Sequence, residues 1–218
     1  MKNLILIKYL ILIISVISLI ENKPDLGRAS DCLIKNIEYK DEFLYTCHEL
    51  DISNNYKRKV YTNPVNLNYM RSFDQLRWTF VPIAGMNDTF YIVNSRYNEH
   101  LCASNIHLDV FNFRRKVNTV NLSGTKKSSE SVVFNSNPTS LLNSNNNKKC
   151  MWQLEQVEKG LNRFVIRNFY YQEPLYAASS LLKTVRSRRN VYTWHAKPDS
   201  KQFVWYIYCF TQEMLSMI

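Results

Sequence analysis

The stretch Phe164–Ala178, FVIRNFYYQEPLYAA, decides the fold. Phe164, Ile166 and Asn168 alternate with other residues, and successive strand residues face opposite sides, so these three line one face of a strand. A turn follows, then a second short strand from Leu175. A lone hairpin is marginal in water and needs something to pack against. The chain supplies two relatives of it, FYIVNSRYNEHLCAS at 90–104 and CLIKNIEYKDEFLYT at 32–46. The hairpin is one copy of an internal repeat.

The copies agree position by position. The first strands carry Cys32, Ile34, Asn36, then Phe90, Ile92, Asn94, then Phe164, Ile166, Asn168. Tyr39, Tyr97 and Tyr171 each stand three residues after the asparagine, in a place where an Asn side chain bonds nearby turn backbone. Glu42 and Leu44, Glu99 and Leu101, and Glu173 and Leu175 come next. A basic cluster and a valine follow, as KRKVYT, RRKVNT and SRRNVYT, with the valine 16 positions after the leucine in every copy. Each copy closes on a tryptophan strand, at Trp78, Trp152 and Trp205. The asparagines and tyrosines recur because the repeat recurs, which accounts for them as turn and packing residues. The tryptophans and the Ile/Leu positions are core candidates.

Each copy therefore predicts four short strands, twelve in all, with no helical period of comparable quality. Three four-stranded units make an all-β fold, a β-trefoil with pseudo-threefold symmetry. In it six strands form a barrel and three hairpins close one end, with no exposed sheet edge. The expected domain spans residues 31–210, with repeats at about 31–86, 87–160 and 161–210. Over this range the chain resembles the β-trefoil superfamily. The phrases N-x-x-Y-x-E-x-L-Y-A and RR-x-V-x-T-W are similar to those of secreted insect proteins of haemolymph and saliva. The superfamily includes lectins, growth factors, cytokines and protease inhibitors, so the resemblance implies a fold and not a function.

The 218 residues carry a formal charge of +10, with 14 tyrosines, 11 phenylalanines and only 4 glycines. Residues 1–20, MKNLILIKYLILIISVISLI, place Lys2 and Lys8 ahead of an apolar run, the pattern of a secretory signal peptide. That run is shorter than a spanning helix needs. The expectation is a secreted, extracellular protein without stable membrane insertion. Removal of Lys2 and Lys8 leaves it basic, and a basic surface attracts acidic polymers in a salt-dependent way.

In that compartment the five cysteines read as disulfide partners. The trefoil topology places the first strand antiparallel to the last. Cys32 and Cys209 then lie at the same end of the barrel, both pointing inward, which implies a bond between them. Cys102 and Cys150, both in the middle repeat, form the second expected pair. Cys47 is left over, free or bonded to another chain in an otherwise monomeric protein. The rival pairing is Cys32 with Cys47 across the first hairpin, leaving Cys209 as a buried thiol. Two sequons, at Asn87 and Asn121, are candidate glycosylation sites.

The second repeat is interrupted at about residues 121–149 by a Ser/Asn-rich insertion ending in NSNNNKK. Its composition reads as a flexible surface loop. Its apolar islands, Val132–Phe134 and Leu141–Leu142, keep docking on the barrel or on a partner as an alternative.

No catalytic set is legible. The histidines, His48, His100, His107 and His195, are scattered, with no nucleophile motif beside them. There is no phosphate loop and no metal-ligand spacing, so neither an enzyme nor a metal or other cofactor is expected. Ricin-type lectins carry Gln-x-Trp, whereas Leu76, Cys150 and Phe203 hold that position here. The one repeated polar feature is the basic clusters Lys57-Arg58-Lys59, Arg114-Arg115-Lys116, and Arg186 with Arg188-Arg189. They read either as solvated strand edges or as a site for an anionic, sulfated glycan, which arginine binds through two parallel hydrogen bonds. Secretion makes nucleic acid a poor partner. The expected role is a secreted, non-enzymatic protein that binds an extracellular glycan or protein. The alternative is an interaction effector, such as a protease inhibitor or a host-directed salivary factor.

Overall fold

The computed structural model describes residues 31–51, 57–65, 74–108, 113–122, 145–185, 187–195 and 200–210. The expected leader at 1–20 and most of the 121–149 insertion lie outside these residues.

The described chain is all-β, with a closed barrel. The strand β1 (Cys32–Asn36) pairs antiparallel with β12 (Val204–Cys209), and β12 with β9 (Arg163–Asn168). Then β9 pairs with β8 (Met151–Gln156), β8 with β5 (Thr89–Asn94), and β5 with β4 (Trp78–Pro82). The ring closes where β4 meets β1 at Trp78 and Cys32. The remaining strands form three hairpins: β2 (Glu42–Asp51) with β3 (Lys57–Pro64), β6 (Glu99–His107) with β7 (Arg115–Val120), and β10 (Leu175–Leu181) with β11 (Arg189–Thr193). The strands β3, β7 and β11 also pair with one another, which brings the three hairpins together at one end.

Alternation along the ring strands buries one face of each in a single cluster that contains Ile34, Phe80, Ile92, Ile166 and the repeat tryptophans Trp78, Trp152 and Trp205. A buried indole needs an acceptor for its N–H. Trp78, Trp152 and Trp205 donate to the carbonyls of Leu44, Leu101 and Leu175, at 3.1, 2.8 and 3.0 Å. Each indole thus fastens a barrel strand to the start of a hairpin.

Asn36, Asn94 and Asn168 are buried and do more than form turns. Each side-chain oxygen accepts from turn backbone, at Glu38, Tyr97 and Tyr171. Each side-chain amide donates to a carbonyl one or three residues ahead of a tryptophan: Gln202 for Asn36, Gln75 and Arg77 for Asn94, Lys149 and Met151 for Asn168.

Cys32 and Cys209 face each other in the β1–β12 ladder and are bonded, and Cys102 is bonded to Cys150. The rival pairing of Cys32 with Cys47 is therefore not the one this fold adopts. Cys47 is a free thiol, buried beside Phe43, Tyr45 and Leu76. Of the two outcomes expected for Cys47, free or bonded to another chain, its burial favours the free thiol, because the sulfur has no exposed face to offer a second chain.

Candidate functional site

The described residues of the basic clusters lie on the hairpin end, and they divide into two kinds. Arg58, Arg115 and Arg189 are structural. Arg58 Nε lies 3.1 Å from Glu99, Arg115 Nε 2.8 Å from Glu173, and Arg189 Nε 2.9 Å from Glu42. The opposite carboxylate oxygen of each pair accepts from a threonine hydroxyl, Thr119, Thr193 or Thr62, at 2.6, 2.6 and 2.5 Å. Each guanidinium also lies over a tyrosine ring: Arg58 over Tyr97, Arg115 over Tyr171, Arg189 over Tyr39, at 3.9, 3.9 and 3.7 Å.

Backbone geometry explains why arginine stands there. The hairpin register shifts between Thr46 and Leu50, between Ala103 and His107, and between Ala177 and Leu181, the same place each time. Such bulges leave carbonyls without a ladder partner. Arg58 donates to the His48 carbonyl, and Arg189 to the Ser179 carbonyl, inside two of these bulges. Three of the nine candidate anion ligands are thus committed to the fold. A sequence shows a positive charge but not the carboxylate that neutralises it.

The other residues stay at the surface or near it. Arg114 donates to the Tyr192 hydroxyl at 3.0 Å, and Arg188 lies over Tyr45. Lys57 and Lys116 are half-buried and Lys59 is exposed. Arg186 lies outside the described residues. Mutual pairing of β3, β7 and β11 leaves a cavity of about 280 Å³ at their junction. Lys59, Lys116 and Asn190 line it from the positions just before Val60, Val117 and Val191. Those valines belong to the core cluster, so the cavity sits directly on the packed interior. Asn118 lines it too; it is 2% exposed, and its side-chain amide nitrogen has no hydrogen-bond partner. Sequence comparison of the copies does not single out Asn118, although Tyr61 and Tyr192 hold the matching positions.

No group of His, Cys, Asp and Glu suited to a metal ion occurs among the described residues. His100, 8% exposed, packs edge-on against Tyr91 at 5.4 Å. Burial pulls its pKa down from 6.5 to about 4, opposed in part by a backbone hydrogen bond with Val120. Between these pH values the unfolded chain holds more protons than the folded one. The stabilising effect of a neutral His100 is therefore complete above pH 6.5 and is lost as pH falls toward 4. At 1.36 kcal/mol per unit this amounts to about 3 kcal/mol. Urea midpoints measured from pH 7.5 to 4 should fall in the wild type and fall less in His100→Gln. Parallel curves would show that His100 does not carry the effect.

Of the sequons, Asn87 is exposed, while the Thr89 hydroxyl is inside and donates to the Asn87 carbonyl at 3.0 Å. Asn121 is exposed, and Ser123 lies outside the described residues. Among the described residues no helix is long and apolar enough to cross a membrane.

No protein-family model matches this sequence, and none of the curated proteins matches it. Solved structures do resemble the fold. A Polyporus squamosus lectin bound to an influenza-binding epitope has a TM-score of 0.56 at 10% identity, over 84% of this chain and 49% of the lectin. A Culex salivary protein of the Cysteine and Tryptophan-Rich family has a TM-score of 0.51 at 16% identity, over 87% of this chain and 100% of its own. A designed 3-fold symmetric protein, ThreeFoil, has 0.51 at 9% identity, over 82% of this chain and 98% of its own. These likenesses show a β-trefoil-like fold.

Proposed function

We propose that this chain is a secreted, non-enzymatic binding protein that recognises an anionic, sulfated glycan through its hairpin end. Its fold in this reading is a β-trefoil of three four-stranded units, at about 31–86, 87–160 and 161–210. Residues 1–20 are its leader, and Asn87 and Asn121 carry glycans. It acts as a monomer in the extracellular space.

The observation that carries the reading is the mutual pairing of β3, β7 and β11. It gathers the basic clusters at one end, although only the cations outside the glutamate pairs are left to meet a ligand. The lectin-like and salivary likenesses support a binding role, as does the lack of any legible catalytic set.

Retention on a heparin column tests it. The protein should elute at higher salt than an unrelated protein of equal charge, because clustered cations hold a polyanion better than scattered ones. Elution no later than that control would sink the glycan reading.

A second reading, an interaction effector such as a protease inhibitor, draws on apolar residues at the hairpin tips. Leu50, Ile106, Leu181 and Phe113 are exposed there, Phe113 at 58%. Capture of a protease by the folded protein, with no retention on heparin, would favour it.

A further inference from the structure

We infer that the cavity at the β3–β7–β11 junction is a site for one tetrahedral oxyanion presented as an ester, a sugar sulfate or phosphate, bound end-on. The inference deepens the anionic-glycan reading and rests on it, since it requires an anionic ligand. It replaces a broad contact along a chain with recognition of a single terminal group.

The donor set points to this chemistry. Lys59 and Lys116 line the cavity from adjacent strands, and among the described residues neither has a carboxylate in ion-pair range. Two ammonium groups act as point charges toward a sulfate or phosphate without demanding a fixed planar geometry. Asn118 supplies direction. Its register partner in β3 is Lys59 and in β6 is Cys102, which sets its amide between a charged strand and a disulfide-anchored one. A buried amide nitrogen without an acceptor is costly, and such a group in a folded protein calls for an explanation. An oxyanion entering the cavity provides that acceptor. The Asn190 side chain, exposed at the third strand, adds a neutral polar wall.

Size and rim restrict what is attached. A cavity of about 280 Å³ lies below the usual range for drug-sized ligands, so it takes an end group and not a folded oligosaccharide. Leu108 and Leu182 form apolar parts of its wall. They suit the C–H face of a sugar ring better than the hydration shell of a free ion. The arginines that would have built a wider polyanion groove are turned inward to glutamates.

The experiment titrates the folded protein with N-acetylglucosamine 6-sulfate, glucose 6-phosphate and unsubstituted N-acetylglucosamine, read by calorimetry. Binding of at least one ester, tenfold or more tighter than the unsubstituted sugar and one to one, is expected. Whichever ester binds tighter names the source of the oxyanion. Lys59→Gln with Lys116→Gln should weaken that binding at least tenfold, and so should Asn118→Leu. The Asn118→Leu protein should keep or raise its thermal midpoint, since an unpaired buried amide is replaced by a side chain of similar size. Failure of both esters to bind overturns the inference, and so does full binding in either variant. If heparin retention persists in the wild type under those outcomes, the broader glycan reading stands and only the site assignment falls. Loss of wild-type heparin retention with ester binding intact would remove the polymeric glycan and leave the site.

Discussion

Replacing both Cys32 and Cys209 by alanine is expected to lower stability by about 5 kcal/mol, the figure the loop-entropy model gives for so long a closed loop. The bond joins residues 177 apart and closes nearly the whole folded chain. The Cys102–Cys150 bond spans 48 residues, and the same model gives about 4 kcal/mol for it. Against a typical domain stability of about 5–15 kcal/mol, the larger loss leaves little margin. Urea unfolding of the two double variants checks both the size and the order. A smaller loss for the 177-residue bond than for the 48-residue one would contradict the entropic account. Thiol labelling adds an independent check: Cys47, buried in the first hairpin, should react only once the chain unfolds.

Glu99→Ala is expected to cost about 3–5 kcal/mol, because it leaves a buried guanidinium without its counter-charge. Arg58 is 5% exposed, so water cannot take the place of the carboxylate. The Thr119 hydroxyl and the Arg58 Nε lose their acceptor together. The double variant Arg58→Met with Glu99→Leu should recover most of that loss, since replacing a buried ion pair by apolar groups of similar volume is often neutral. Denaturant midpoints of the two single variants and the double variant form the test. Additive losses in the double variant would mean that the two side chains are not acting as one unit. The heparin test is best read beside these variants. Arg58, Arg115 and Arg189 should be poor targets for charge reversal, because they would unfold the hairpins before reporting on a ligand.

The repeat was legible because its cues are local. Strand alternation, the Asn-x-x-Tyr turn and the constant leucine-to-valine spacing all fall within 30 residues, and they led to the strands, the tryptophan core and the inward face of Cys32. What was not legible is non-local. The basic clusters look alike in sequence, yet the residue two before each valine is an ion-pair partner and the residue one before it faces a cavity or solvent. A cue existed in the glutamate and threonine of each copy, always 20 residues apart, as acceptor and donor must be to meet across a hairpin. The arginine that completes each set comes from a different copy, 41, 58 or 147 residues away, and no local pattern announces it. Asn118 was missed for a related reason. Its meaning depends on a junction of three strands that a linear reading does not assemble. For Cys47, elimination leaves two outcomes, a free thiol or a link to another chain, and burial, which a linear reading does not show, selects the first.

The cyclic exchange of side chains has a consequence for how the chain is made. Glu42 meets Arg189, Asn36 meets Gln202, and Cys32 meets Cys209. Each of these partners for the first hairpin and its leading strand is synthesised 147, 166 or 177 residues later. The first repeat therefore cannot be finished until the third has been made, and it must wait with β1 unpaired on its β12 side. Long-range pairing of this kind is slow and leaves strands open to wrong partners meanwhile. Arrival of β12 beside β1, followed by oxidation of Cys32 with Cys209, becomes the step that commits the domain to its native form.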